Sequence, residues 1–153
     1  MHDIGNVINR IDHAQSGAVM AFRILDKLGM EANEIATICS AIGNHDESTA
    51  FPVNAVAAAL ILADKTDVRR TRVRNRDKAS FDIHDRVNYA VEKAATTLDA
   101  QKKAVVLTLT LDTEMSAVMD YFEIFLDRML LCRKAAEKLG LSFRLVVNGQ
   151  AVM

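Results

Sequence analysis

The chain has 153 residues, half of them hydrophobic, one proline, six glycines and a formal net charge of -1. That length buries a real core without staples, as one domain with at most a modest appendage. The near-neutral balance excludes a global electrostatic pull toward nucleic acid or an anionic membrane. Aromatic residues make up only 5%, and the excess of Ala, Leu, Ile, Val and Met favours helices over an all-β fold. Cys39 and Cys132 lie far apart with no CxxC spacing, and no signal peptide opens the chain. Reduced thiols and a cytoplasmic location are therefore expected.

Residues 1–10 form a short leading segment, after which Asp12 suits the N-cap of a helix running to Leu28, with Ala18, Phe22 and Leu25 on one face and Gly29 as its stop. After Asn33, the residues Ile35, Ile38, Cys39 and Ile42 recur at helical spacing until the Gly-Asn-His-Asp-Glu segment at 43–47. The uncharged stretch 48–63 includes Pro52 and is shorter than the roughly 20 residues of a membrane span, so it reads as a buried helix. Pro52 fits that helix's first turn, and Val53, Val56, Ala57, Leu60, Ile61 and Asp64 share one stripe. A carboxylate on that stripe needs a strong partner, because an unpaired buried charge costs several kcal/mol.

Residues 65–78 are basic, with Lys65, Arg69, Arg70, Arg72, Arg74, Arg76 and Lys78. Asp82 suits the cap of a helix whose apolar face is Ile83, Val87, Ala90, Val91, Ala94 and Leu98. Leu107, Leu109 and Leu111 then alternate with Thr108 and Thr110, which predicts a strand over Ala104 to Leu111. A long helix from about Thr113 to Leu139, stopped by Gly140, and a second strand from Leu141 to Val147 complete the chain. The predicted fold is mainly α, with a helical domain over 1–100 and a small strand-helix-strand extension over 101–153. Two strands are marginal alone, and their open edges together with the band of Met115, Val118, Met119, Phe122, Leu126, Met129 and Leu130 predict a homo-oligomer.

Three of the four histidines, His2, His45 and His84, are followed directly by aspartate. Such a dipeptide is common by chance, so position decides. His2, His13 and His45 fall at helix boundaries, and Asp64 lies near the end of a buried stripe. Helix ends that converge supply imidazole and carboxylate ligands together, a mixture that suits Mn, Fe, Co, Ni or Zn, with Mg as a further candidate, better than Ca. Asp3, with two oxygens, can bridge a pair of ions. His84, in the first turn of its helix beside Asp82 and Asp85, is better explained by capping.

MHDIGN at 1–6, DHAQSGA at 12–18, AIGNHDE at 41–47 and LILADKTDVRR at 60–70 resemble, in order and spacing, the motifs of the HD superfamily of metal-dependent phosphohydrolases. The similarity is to the branch of bacterial dinucleoside-tetraphosphate hydrolases and, more distantly, to the HD-GYP phosphodiesterases, although Asn44-His45 replaces a double histidine and no Gly-Tyr-Pro is present. The resemblance implies an HD-domain helical bundle and one or two divalent ions held by His2, Asp3, His13, His45 and Asp64. It also implies water activated by metal to cleave a nucleotide-like phosphoester or phosphoanhydride, with Asp3 and Lys65 catalytic. Lys65, Arg69 and Arg70 are expected to bind phosphate. The family's further metal-binding histidine, on a preceding helix, has no counterpart here, so the HD domain is expected to be N-terminally incomplete. That expectation supports a rival reading, a non-catalytic regulatory or nucleotide-binding module. A nucleic-acid binder acting through 65–78 is disfavoured by the lack of interleaved aromatics. Cys39 and the methionines read as packing.

Overall fold

The computed structural model describes residues 1–153 except Ser48, Arg74 and Arg76. The basic stretch 65–78 thus falls partly outside the described residues. Among the described residues, five α-helices and four strands follow in the order α1 (His13–Lys27), α2 (Ala32–Gly43), α3 (Ala55–Lys65), α4 (Ile83–Ala90), β1 (Val91–Asp99), β2 (Ala104–Leu111), α5 (Val118–Lys138), β3 (Ser142–Val147) and β4 (Gln150–Ala151). The chain is mainly helical with one sheet. Among the described residues, no helix is long and apolar enough to cross a membrane.

The first turns lie close together because two glycines meet. A 3-10 turn, Ile4–Val7, lies across the start of α1. A Cβ on Gly5 would sit 2.7 Å from the Gly17 nitrogen, and one on Gly17 would sit 3.1 Å from the His2 carbonyl oxygen. This approach fixes the buried face of α1 as His13, Ala14, Gly17, Ala21 and Leu25. The expected face of Ala18, Phe22 and Leu25 is therefore rotated by about one position, and Phe22 is 54% exposed.

α1 packs on α2, α2 on α3 and α3 on α5, so α3 joins the leading helices to the sheet layer. Asn54, not the region of Pro52, starts α3: its side chain accepts from the Ala57 N–H at 2.8 Å. The stripe is correspondingly Ala57, Ala58, Ile61, Leu62 and Lys65, with Val56 exposed.

The helix expected over residues 83–98 stops at Ala90. Asp82 caps it as anticipated, accepting from the Asp85 N–H at 2.7 Å. Val91–Asp99 is instead a strand, paired antiparallel with β2 from Leu98↔Val105 back to Val91↔Leu111. Lys103 takes a left-handed φ of 47° in the connecting turn. β2 runs parallel to β3 (Leu107↔Leu145), with α5 as the crossover that parallel neighbours require. The short β4 adds a fourth strand, giving the order β1-β2-β3-β4. The expected two-stranded extension is thus a four-stranded sheet. Residue 100 falls in the turn between β1 and β2, and one cluster of buried side chains runs from Ala58, Ile61 and Val87 to Leu107, Phe125 and Leu145. α5 buries Tyr121, Phe125, Met129, Cys132 and Ala136, whereas Met119 and Leu126 of the expected band are exposed.

Candidate metal centre

The start of the chain, the start of α1, the end of α2 and the end of α3 converge. His2 and Asp3 precede and enter the 3-10 turn that Gly5 seats on α1. His13 is the first residue of α1, His45 follows its partner helix α2 by two residues, and Asp64 is the penultimate residue of α3. The His2 and His13 rings each meet the His45 ring edge-on, with centroids 5.1 Å apart.

The tautomers are set by backbone. His13 Nδ1 lies 2.9 Å from the Arg10 carbonyl oxygen, and His45 Nδ1 makes the same contact with the Ile42 carbonyl. A carbonyl oxygen only accepts, so each Nδ1 carries the proton and donates it. Each Nε2 faces the centre and is the ring atom left to ligate. This is the backbone-anchored arrangement that orients metal-ligating histidines.

The Nε2 atoms of His13 and His45 stand 3.3 and 3.5 Å from Asp3 Oδ1. Nε2 of His2 stands 3.6 Å from Asp3 Oδ2 and 3.7 Å from Asp64 Oδ1. These separations exceed ordinary hydrogen-bond lengths. Bonds of about 2.1 Å at tetrahedral or octahedral angles put neighbouring donors roughly 3.0–3.5 Å apart, which the Asp3 contacts of His13 and His45 match and the two His2 contacts exceed by 0.1–0.2 Å. Two ligand groups result, His2-His45-Asp64 and Asp3-His13-His45, each with all donor atoms within 4.8 Å of one another. They share His45, and Asp3 turns one oxygen toward each side. The five side chains named from the sequence are therefore together, and as a donor set they fit one or two divalent ions with mixed N and O preference.

Asp64 also ion-pairs with Lys65 at 2.6 Å. Burial pushes its carboxyl upward, but the Lys65 hydrogen bond and charge, with help from His2 and His45, outweigh that and hold it below the usual range. Burial, opposed by the Asp3 and Asp64 charges, lowers His2 and keeps its imidazole neutral and able to ligate. Cys132, buried behind this layer, is pushed up to about 12 by burial, and its thiol stays protonated.

Beside the donors lies a polar pocket lined by Asp3, Arg10, His13, His45, Asp46, Glu47, Asp64, Lys65, Arg72 and Arg128. Lys65 is present as expected, and its side chain is only 8% exposed. Arg69 and Arg70 are not. Arg69 pairs with Asp67 at 2.8 Å, while Arg70 stacks on the Tyr89 ring and donates to the Tyr89 carbonyl. The chain leaves α3 through Thr66 and turns these two away, and Arg72, one 3-10 turn later, returns to the pocket. His84 is exposed and belongs to neither ligand group, while Asp82 caps its helix and Asp85 accepts from Asn75.

Comparison with protein-family models, with curated proteins and with solved structures gives no match. Three lining groups are not evident from the sequence. Glu47 directly follows the His45-Asp46 pair, and Arg10 precedes α1 and also supplies the carbonyl that anchors His13. Arg128 comes from α5, where it falls on the buried stripe of Tyr121, Phe125, Met129 and Cys132. A charge on an apolar stripe is the same signal that singles out Asp64.

Proposed function

We propose that this chain is a metal-dependent phosphohydrolase built on the HD-domain helical bundle, acting on a phosphoester or phosphoanhydride of a nucleotide-like substrate. One observation carries the reading: His2, Asp3, His13, His45 and Asp64 arrive from separate elements with their donor atoms converging and the two buried imidazoles locked in the ligating tautomer. The order of the four sequence motifs supports the superfamily, and the Arg10, Lys65, Arg72 and Arg128 side chains lining the pocket beside the donors support a phosphorylated substrate. A divalent ion bound there supplies Lewis acidity and lowers the pKa of water.

The chain's own residues supply the rest. Asp3 keeps two oxygens directed at the two ligand groups. Lys65, held between Asp64 and Glu47, presents its ammonium at the donor cluster, where it stabilises negative charge on phosphoryl oxygens. Burial excludes competing water from its stem.

The test contrasts two nearby aspartates. Asp64→Ala should weaken metal binding by more than the roughly 10–100-fold typical of an outer-shell partner and abolish hydrolysis of nucleoside and dinucleoside phosphates. Asp67 only pairs with Arg69 and Arg72 at the surface, so Asp67→Ala should retain its metal and lose less than about 1 kcal/mol of stability. Elemental analysis of both purified variants decides it, and equal metal loss would show the ligand to be misassigned. Full metal content with no turnover of any phosphorylated substrate would favour the regulatory module instead.

A further inference from the structure

The pocket contains its own anion. Glu47 Oε1 receives Nε and Nη2 of Arg128, each at 2.7 Å, and Lys65 Nζ at 3.7 Å. Three nitrogen atoms from two cations thus converge on a single oxygen. Packing holds Arg128 in place. Its guanidinium stacks on the Phe125 ring at 4.7 Å, and its side chain is only 22% exposed. Glu47 is held less firmly. It lies in the turn between α2 and α3 with about a third of its side chain exposed.

Charge then identifies what the position is for. Among the described residues, four carboxylates line the pocket against four cations, a balanced set. No carboxylate pairs with Arg10 among them. One divalent ion at the neighbouring donors would leave the balance two charges positive, and a second would leave it four. A group with two negative charges offsets more of that surplus than a diester with one.

Resting on the metal-centre reading above, we propose that Arg128 and Lys65 form the subsite for a terminal phosphoryl dianion, and that the Glu47 carboxylate is an internal occupant the substrate displaces. Arg128 is a positioning and specificity residue supplied by the crossover helix of the sheet. It favours phosphomonoesters and terminal phosphates over diesters. Glu47 lowers apparent affinity by competing for the same donors.

The two partners therefore have opposite effects on anion binding, which a purely structural ion pair would not give. Inorganic phosphate is titrated calorimetrically into Mn²⁺-loaded full-length protein, with metal content measured on every sample. Arg128→Gln should weaken phosphate binding by about tenfold or more with unchanged metal, because a charge-assisted fork is lost. Glu47→Gln should tighten it by about threefold or more. Dimethyl phosphate should bind wild type about tenfold more weakly than phosphate. Metal-loaded variants with wild-type phosphate affinity would overturn the subsite and leave the metal centre standing. Equal affinity for phosphate and dimethyl phosphate would overturn the choice of a dianion. Samples that hold no metal would remove the centre and, with it, the positive charge on which the subsite depends.

Discussion

Replacing His45 with alanine is expected to strip the centre of metal altogether, whereas replacing His2 removes only part of it. The difference follows from the geometry. His45 belongs to both ligand groups, while His2 belongs to the one with Asp64, and His13 with Asp3 completes the other. His45 is also the most deeply buried of the ligands, with a side chain 1% exposed and its Nδ1 tied to the Ile42 carbonyl. Its Nε2 has one lone pair and binds one ion at a time, so an ion seated in either group draws on this imidazole. His45→Ala should therefore lower affinity, whichever group holds the ion, by well over the roughly 100-fold upper range of outer-shell effects. His2→Ala should leave the Asp3-His13-His45 group able to hold an ion. Metal stoichiometry after dialysis against a weak chelator reads this directly, with circular dichroism to show that both variants remain folded. Retention of metal by folded His45→Ala would refute its role as a ligand, and identical losses in both variants would mean that one ion spans all the donors.

How far these features are legible in the sequence depends on whether they are local. β2 is visible because Leu107, Leu109 and Leu111 alternate with Thr108 and Thr110, and this face is the one buried. β1 is not, because Ile83, Val87, Ala90, Val91 and Ala94 satisfy a helical period as well as any true helix. Its strand state comes from residue-by-residue pairing with β2, a tertiary constraint that overrides local pattern. Asp64 stands out because a carboxylate on an apolar stripe requires an explanation. Arg128 meets the same criterion on α5, yet its counterpart Glu47 lies in a distant turn, and only the packing of α3 on α5 brings them together. Arg69 and Arg70 suggest themselves by their nearness to Asp64 along the chain. Proximity in sequence carries no direction, and the path after Thr66 sends both guanidinium groups elsewhere.

The second large effect is expected at a residue with no functional group. Gly5→Ala should destabilise the protein and release its metal although Gly5 has no side chain to act as a ligand. A Cβ there would fall far inside contact distance of the His13 carbonyl oxygen, 2.7 Å from the Gly17 nitrogen and 2.8 Å from the His13 carbonyl carbon. All three are backbone atoms, so no side-chain rotation relieves the clash. Either the 3-10 turn lifts off α1, carrying His2 and Asp3 with it, or the first turn of α1 moves and takes His13. Overpacking in a well-packed core costs about 1–3 kcal/mol, and a clash against fixed backbone belongs at or above the top of that range. Gly43→Ala is the control. It ends α2 with only the Ala18 Cβ nearby, at an ordinary 3.6 Å. There the added methyl should be neutral or stabilise by roughly 0.5–1 kcal/mol, the usual advantage of alanine over glycine in a helix. Thermal denaturation of both variants with and without metal separates the two contributions. A melting temperature lowered in Gly5→Ala but not in Gly43→Ala, together with loss of the metal-dependent increment, is the expected pattern. Wild-type metal binding by Gly5→Ala would mean that the approach of the 3-10 turn to α1 does not position the ligands.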